Sequence, residues 1–446
     1  MHIRNNVTKN QGEMIGALVE LIKIPSVMDE TYELRPFGFE IDNALKKALE
    51  ICEKLGFRTY YDPDGYYGYA EIGSGEEMIG ILSHVDVVSE GDASNWKHGP
   101  YDGNLANGKI YGRGAIDDKG PLIASIYAIK ALMDAEVEFT KRIRIIIGTD
   151  EENNWRDIKS YVSKEELPTF GFTPDSNFSV VYAEKALLQF RLKSDKKSEL
   201  RVKGGTALNA VPESTVYHGD YLFRLEKQLK KLGFDHELEN DELYVIGKSA
   251  HAAKPASGIN AISRMALALN SLGIRTPVID FLTDKIGFTC NGELIFGSCY
   301  DEPSGELTMS VNQIDLSAYG ENIGIDMRIP VTIEKKFIVD GIKRVAEKYG
   351  LMYDELDYLA PLYIEKDTPL ISTLVQVYEE ETGLDGDPIS TGGATYARSM
   401  PNVVAYGPTF PGQEKVAHQT DEYIDLNAMI KCSQIYAKAI QRLLER

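Results

Sequence analysis

Apolar side chains recur along the chain with two different periods. Over 12–24, Ile15, Leu18, Leu21 and Ile22 fall at helical spacing, and Pro25 ends the run. A second helix is predicted over 41–55, with Leu45, Leu49 and Cys52 on one face and Gly56 as its terminator. Residues 78–82 form a short, wholly apolar run that reads as a buried strand and ends in Ser83-His84. A helix over 121–133 follows, with Pro121 in the tolerated first turn. A second buried strand over 143–147 runs into Gly148-Thr149-Asp150. Strands alternating with helices predict an α/β layer structure, a largely parallel sheet flanked by helices.

The pattern changes after about residue 185. A strand is predicted over 187–192, then a lysine-rich and glycine-bearing stretch to Gly205. Helices over 220–232, 260–272 and 333–349, with strands over 243–246 and within 307–330, describe an α+β region with its own core. A helix over 370–382, a glycine-rich turn after Ile389, a strand over 403–406 and a final helix over 427–444 return to the first style. The expected organisation is one domain, 1–185 plus 363–446, interrupted by an inserted domain, 186–362.

With 446 residues, 43% apolar and 26% charged, the composition is that of a globular enzyme. The net charge of −20 opposes binding to nucleic acid and to anionic membranes, although solubility alone also accounts for such acidity. Four scattered cysteines, Cys52, Cys290, Cys299 and Cys432, form no C-x-x-C pair and fit a reducing compartment. There is no apolar leader and no run long enough to span a bilayer, so a cytoplasmic location is expected.

Five short segments carry chemistry. In His84-Val85-Asp86, strand alternation puts both side chains on one side, where a carboxylate can hold the second ring nitrogen of a metal-bound histidine; such a triplet is also common by chance. Asp117-Asp118, inside Tyr111-Gly-Arg-Gly-Ala-Ile-Asp-Asp-Lys-Gly-Pro121, reads on its own first as a helix cap and second as hard oxygen donors for a cation. Asp150-Glu151-Glu152 could be a solvated charge run. Its place after an apolar strand puts it instead at the carboxyl end of the sheet, where open α/β sheets bind ligands. One glutamate there could ligate a metal while its neighbour takes a proton from water. Phe172-Thr173-Pro174-Asp175 and Val416-Ala417-His418-Gln419-Thr420-Asp421-Glu422 are unremarkable singly.

Their order and spacing together resemble the M20 metallopeptidases, and the resemblance covers essentially the whole chain. Ser83–Val88, Ile147–Glu152, Gly171–Asp175, Thr391–Arg398 and His418–Tyr423 are similar to the bacterial dipeptidase PepV branch. That resemblance implies a dipeptidase acting on short peptides with a free amino terminus, through a water bridging two divalent metals, zinc first, with manganese or cobalt also suited to a mixed nitrogen and oxygen donor set. It implies that Asp117 bridges both metals, that His84 and Asp175 complete one site, and that Glu152 and His418 complete the other. Asp86 would orient His84, and Glu151 would be the general base and later the acid. The insert would be a lid, in which Asn209 contacts substrate, His251 stabilises the oxyanion and Arg328 clasps the terminal carboxylate by a forked hydrogen bond. A longer peptide or an amide would then leave Arg328 a buried unpaired cation, so length would be the main selector. The insert's length resembles that of chains supplying the lid histidine from within, which implies a monomer. An N-acyl amino acid deacylase on the same centre is the alternative. Ala394 departs from the third glycine usual in the branch, and the Cys290 to Cys299 segment has no match there.

Overall fold

A computed structural model describes residues 2–32 and 34–446. Two compact units emerge, one from 1–182, 364–389 and 395–446, the other from 183–363 and 390–394.

The first unit is built on a twisted mixed sheet. Its centre is four parallel strands, in the order Arg142–Gly148, Met78–His84, Phe170–Thr173 and Val403–Tyr406. Gly68–Ile72 and Arg58–Tyr61 extend one side antiparallel, and Val180–Glu184 pairs antiparallel with Val403–Tyr406 on the other. Met78–His84 is buried at every position, as a central parallel strand covered on both faces must be. Its register pairs His84 with Gly148, so the two apolar strands end side by side and Asp86 and Asp150 leave the sheet together.

Helix Lys119–Asp134 is buried around nearly its whole circumference, against Leu426–Leu444, His2–Lys9 and Gln11–Ile22. Tyr423–Asp425 pairs antiparallel with Lys109–Tyr111, which pairs with Asn104–Ala106; this small sheet joins two segments far apart in sequence.

The second unit contains an eight-stranded antiparallel sheet. Its strand Ala186–Ser194 alternates in burial along its length: Leu188, Phe190 and Leu192 enter the core, while Gln189, Arg191 and Lys193 take the other face. Helices Leu222–Leu232, Ala261–Ser271, Pro277–Phe281 and Lys335–Glu347 supply the rest of that core. Asn260 caps Ala261–Ser271 by accepting from the Ile262 and Ser263 N–H groups. The Cys290 to Cys299 segment follows a π-helical turn, Leu282–Ile286, and contains the short helix Glu293–Phe296; both cysteines are free thiols.

Candidate metal centre

The parallel strands deliver their carboxyl-end residues to one place in the first unit. His84 Nε2 lies 3.2 Å from Asp117 Oδ1 and 3.6 Å from Asp175 Oδ2. His418 Nε2 lies 3.0 Å from Asp117 Oδ2 and 2.9 Å from Glu152 Oε1. Two potential ligand groups result, His84–Asp117–Asp175 and Asp117–Glu152–His418, with Asp117 common to both and the donor atoms of each within 4.8 Å of one another. Asp118 belongs to neither. It is buried, and its Oδ2 accepts the His84 N–H at 3.3 Å.

Glu151 lies beside these groups and in neither. Its loop is tied down at almost every residue. Asp157 Oδ2 accepts the N–H groups of Thr149 (2.5 Å) and Asp150 (3.0 Å), and Tyr396 donates its hydroxyl to the same oxygen. Arg156 grips Asp150, the Trp155 indole N–H donates to the Glu151 carbonyl at 2.6 Å, and Asp86 Oδ2 accepts the Glu152 N–H at 3.1 Å. Asp86 therefore serves both groups. Its relation to His84 differs from the expected carboxylate contact: the ring Nδ1 sits 3.0 Å from the Asp86 backbone carbonyl and 3.4 Å from Oδ1, and Oδ1 makes no hydrogen bond. The reason is local, since the carboxylate turns toward the Glu152 backbone.

The electrostatics have a single origin. Asp117, Asp175, Glu151 and Glu152 share one desolvated volume with two imidazoles. Burial and the Asp117 charge push Asp175 up to about 6 and Glu152 up to about 7. Burial, then Asp175, pushes Glu151 well above the usual carboxylate range. Burial pulls His418 down, but its hydrogen bonds to Asp117 and Glu152 win and raise it to about 11. Asp117 moves the other way: burial would raise it, but its hydrogen bonds to His418 and His84 hold it well below the usual carboxylate range. Three carboxylates that hold on to protons around one that stays ionised, with histidines held protonated between them, are a cluster short of positive charge. Mixed imidazole and carboxylate donors are what a borderline divalent cation accepts, so the residues present fit two such ions. Beside them opens a cavity of about 390 Å³ lined by Asp117, Asp175, Ser176, Thr409, Val416 and Tyr423.

The sequence pattern of peptidase family M20/M25/M40 matches residues 80–442, which takes in every one of these side chains. The chain belongs to this family. It is accordingly a metallopeptidase, a hydrolase of peptide bonds. Among its relatives, the Bacillus subtilis (strain 168) protein named "Putative dipeptidase YtjP" is 38% identical over 464 residues, covering 98% of each chain. "Putative dipeptidase SH1171" of Staphylococcus haemolyticus is 30% identical over 466 residues, covering 99% of each. Among solved structures, human carnosine dipeptidase 1 shares the fold with a TM-score of 0.63 at 16% identity, over 100% of this chain and 98% of that one. The di-peptidase Dug1p of Saccharomyces cerevisiae does so with 0.63 at 12%, over the same shares. No described helix is long and apolar enough to cross a membrane.

The remaining expected residues of this M20 chain lie in the second unit. Ala210–Val211 pairs with Ala250–His251, and the Ala252 N–H donates to the Asn209 carbonyl at 2.9 Å, so Asn209 and His251 are neighbours. His251 Nδ1 accepts the Ala253 N–H at 3.1 Å, which places the proton of the neutral ring on Nε2. The expectation that Arg328 is an unpaired cation in the absence of a peptide carboxylate is what the structure corrects. Arg328 is 3% exposed, and its Nε and Nη2 already fork onto Asp326 at 2.8 and 3.1 Å, while Nη1 donates to the Gly392 carbonyl at 2.9 Å. It is not a cation waiting for a carboxylate. Strand geometry explains this: Asp326 and Arg328 are two apart on Gly320–Ile329 and share a face.

Sequence reasoning quoted Arg113, Lys119, Tyr396 and Glu422 inside its motifs without giving them roles, and passed over Asp157. Lys119 is fully buried, donates to the Ile24 carbonyl at 2.8 Å and is pulled down to about 7 by burial. Buried charge within a motif was the signal available, but nothing in one sequence says which charges are buried.

Proposed function

We propose that the chain is a dipeptidase that hydrolyses the peptide bond of short peptides with a free amino terminus. Asp117 reaching both histidines, with a half-buried carboxylate at Glu151 that belongs to neither ligand group next to them, is the observation that carries this reading. His84, Asp117 and Asp175 would hold one divalent cation; Asp117, Glu152 and His418 would hold the other. Zinc is the first choice for these donors, and manganese and cobalt are also suited. Such cations, when bound, supply Lewis acidity to the scissile carbonyl and to water.

The chain's own residues do the proton work. Glu151 accepts a proton from the attacking water and passes it to the leaving amine. A desolvated carboxylate whose proton affinity is raised suits both halves of that transfer. The loop bonds through Asp157, Trp155 and Arg156 fix where Glu151 stands, and orientation of this kind is itself a rate term. His251, with its proton on Nε2, is assigned to the developing oxyanion. Asn209 and Arg328 are assigned to the peptide backbone and its carboxyl end. Residues 1–185 with 363–446 then form the catalytic domain and 186–362 the lid. The length of the insert supports a reading in which His251 is supplied from within the chain, and the proposed working unit is therefore a monomer.

The test is a panel of free and N-acetylated dipeptides, assayed on chelated enzyme given zinc, manganese or cobalt. Turnover of the free dipeptides with two cations per chain is expected. Activity confined to the acetylated substrates would reassign the chain to N-acyl amino acid hydrolysis.

A further inference from the structure

Two segments that carry metal-group residues, 112–117 and 418–422, are held to each other by one buried ion pair that the proposed chemistry does not use. Glu422 is fully buried and Arg113 is 2% exposed. Glu422 Oε2 accepts Arg113 Nη1 at 2.7 Å. Its other oxygen, Oε1, accepts the backbone N–H groups of Ile116 at 3.0 Å and Asp117 at 3.3 Å. Arg113 Nη1 also donates to the Gln419 carbonyl at 3.2 Å, and Nη2 to the Ser89 carbonyl at 3.2 Å. The guanidinium lies 5.2 Å from the centre of the Trp96 ring. The pair continues a backbone ladder: Tyr423 is registered with Tyr111, and the Gly112 N–H donates to the Glu422 carbonyl at 2.9 Å.

We propose that Arg113 and Glu422 are positioning residues that set the two metal-binding groups as one unit. Asp117 and His418 each sit one turn of chain from a member of the pair, and Arg113 reaches the backbone next to His418 while Glu422 holds the backbone of Asp117. A carboxylate is needed because Oε1 takes two backbone donors and Oε2 takes a cation; an amide in its place has one acceptor oxygen. Burying an isolated ion pair gains little stability over apolar packing, so its retention between two ligand-bearing loops points to geometry. Moving either loop would shift Asp117 relative to both His84 and His418. The inference rests on the two-cation reading above. It adds that the cations are coupled through residues that touch neither.

The experiment is a calorimetric titration of chelated full-length protein with manganese alone, paired with elemental analysis, on the unmutated chain, Glu422→Gln and Arg113→Lys. Outer partners of metal ligands are typically worth about 10–100-fold in metal affinity. Glu422→Gln is expected to weaken both manganese sites by a factor in that range, with KM for a dipeptide unchanged and kcat recovered in excess manganese. A purely structural role would lower the melting temperature of chelated protein and leave both affinities alone. That result, or weakening confined to one site, overturns the proposal. If Glu422→Gln does not fold, Arg113→Lys decides: it keeps the charge but loses the forked reach to Ser89 and Gln419, and must weaken both sites together. An unmutated chain that takes up fewer than two manganese ions overturns the centre itself. That outcome is distinct from two tight sites that the variants leave untouched.

Discussion

The two halves of the centre are built by opposite means. His84 ends a strand buried at every position, its own side chain is fully buried, and its backbone N–H is held by Asp118. His418 stands on a loop with its side chain half exposed and its backbone at φ 64°, a left-handed conformation that a non-glycine residue seldom adopts. Asp117 is shared by the two, one oxygen toward each histidine. The first half is thus fixed by the sheet, while the second is fixed by loop contacts that include the Arg113–Glu422 pair. Folding alone sets the first; the second carries local backbone strain of the sort concentrated at functional sites.

The largest effects should fall on what the halves share. Asp117→Ala is expected to abolish turnover and to lower cation content at both sites, whereas Asp118→Ala should keep two cations; elemental analysis after dialysis reads this. Loss of cations from Asp118→Ala instead would show that the bridging residue has been misassigned. Glu151→Gln should cost roughly 10²–10⁴-fold in kcat, the usual contribution of a general acid–base residue, with both cations retained. Near-normal turnover in that variant would remove Glu151 from the mechanism.

The next contrast separates the halves. His84→Ala leaves buried carboxylates without their partner, and an unsatisfied buried polar group costs about 1–3 kcal/mol. Its chelated form should therefore melt well below the unmutated chain. His418→Gly loses the pairing with Asp117 and Glu152, but it removes a half-exposed side chain and suits φ 64°, so its chelated form should lose less stability than that of His84→Ala while one cation is lost. Equal melting losses in the two variants would mean that the His418 loop is as integral to the fold as the strand.

The same division explains what could be read from the chain before its structure. Long apolar segments were legible: the strand ending at His84, the strand before Asp150, and the helices Lys119–Asp134 and Leu426–Leu444 all follow from periodicity. Helix His2–Lys9 was not, since His-Ile-Arg-Asn-Asn-Val-Thr-Lys offers one buried residue, Val7. Strand Arg58–Tyr61 is an edge of exposed and half-buried side chains with no apolar run to mark it. At the site, the ligand types were visible as motifs, but their assignment came from the resemblance and not from spacing. The Arg113–Glu422 bond spans 309 residues, and no local rule joins them. The pairing of Arg328 with Asp326 is different. It was within reach of strand alternation in Asp326-Met327-Arg328, where residues two apart share a face.

That pairing yields the smallest predicted effect and carries the comparison into the second unit, where Arg328, like His84, is a buried group placed by a strand and satisfied by its neighbours. Had Arg328 been unpaired, a dipeptide amide would have left a bare buried cation and been rejected steeply. Asp326 already neutralises it, Gln189 donates to the same carboxylate at 2.8 Å, and Gly392 takes a third guanidinium N–H. What remains for a peptide is the donor capacity on the Nη1 and Nη2 edge, a hydrogen-bonding contribution with little net charge behind it. A charge-assisted hydrogen bond contributes about 1.5–3 kcal/mol, and sharing the guanidinium places this one toward the lower end. Dipeptide acids are therefore expected to exceed their amides in kcat/KM by roughly tenfold, the factor that about 1.4 kcal/mol supports. Arg328→Lys should erase most of that preference, because an ammonium cannot hold Asp326 and a carboxylate in the same fork. Asp326→Asn should sharpen the preference if Arg328 stays in place, since the guanidinium would then face the peptide as an uncompensated cation. Measured kcat/KM ratios for matched acid and amide pairs across the three proteins decide the matter. A preference of a thousandfold or more in the unmutated enzyme would mean that the Asp326 pairing does not persist when peptide is bound.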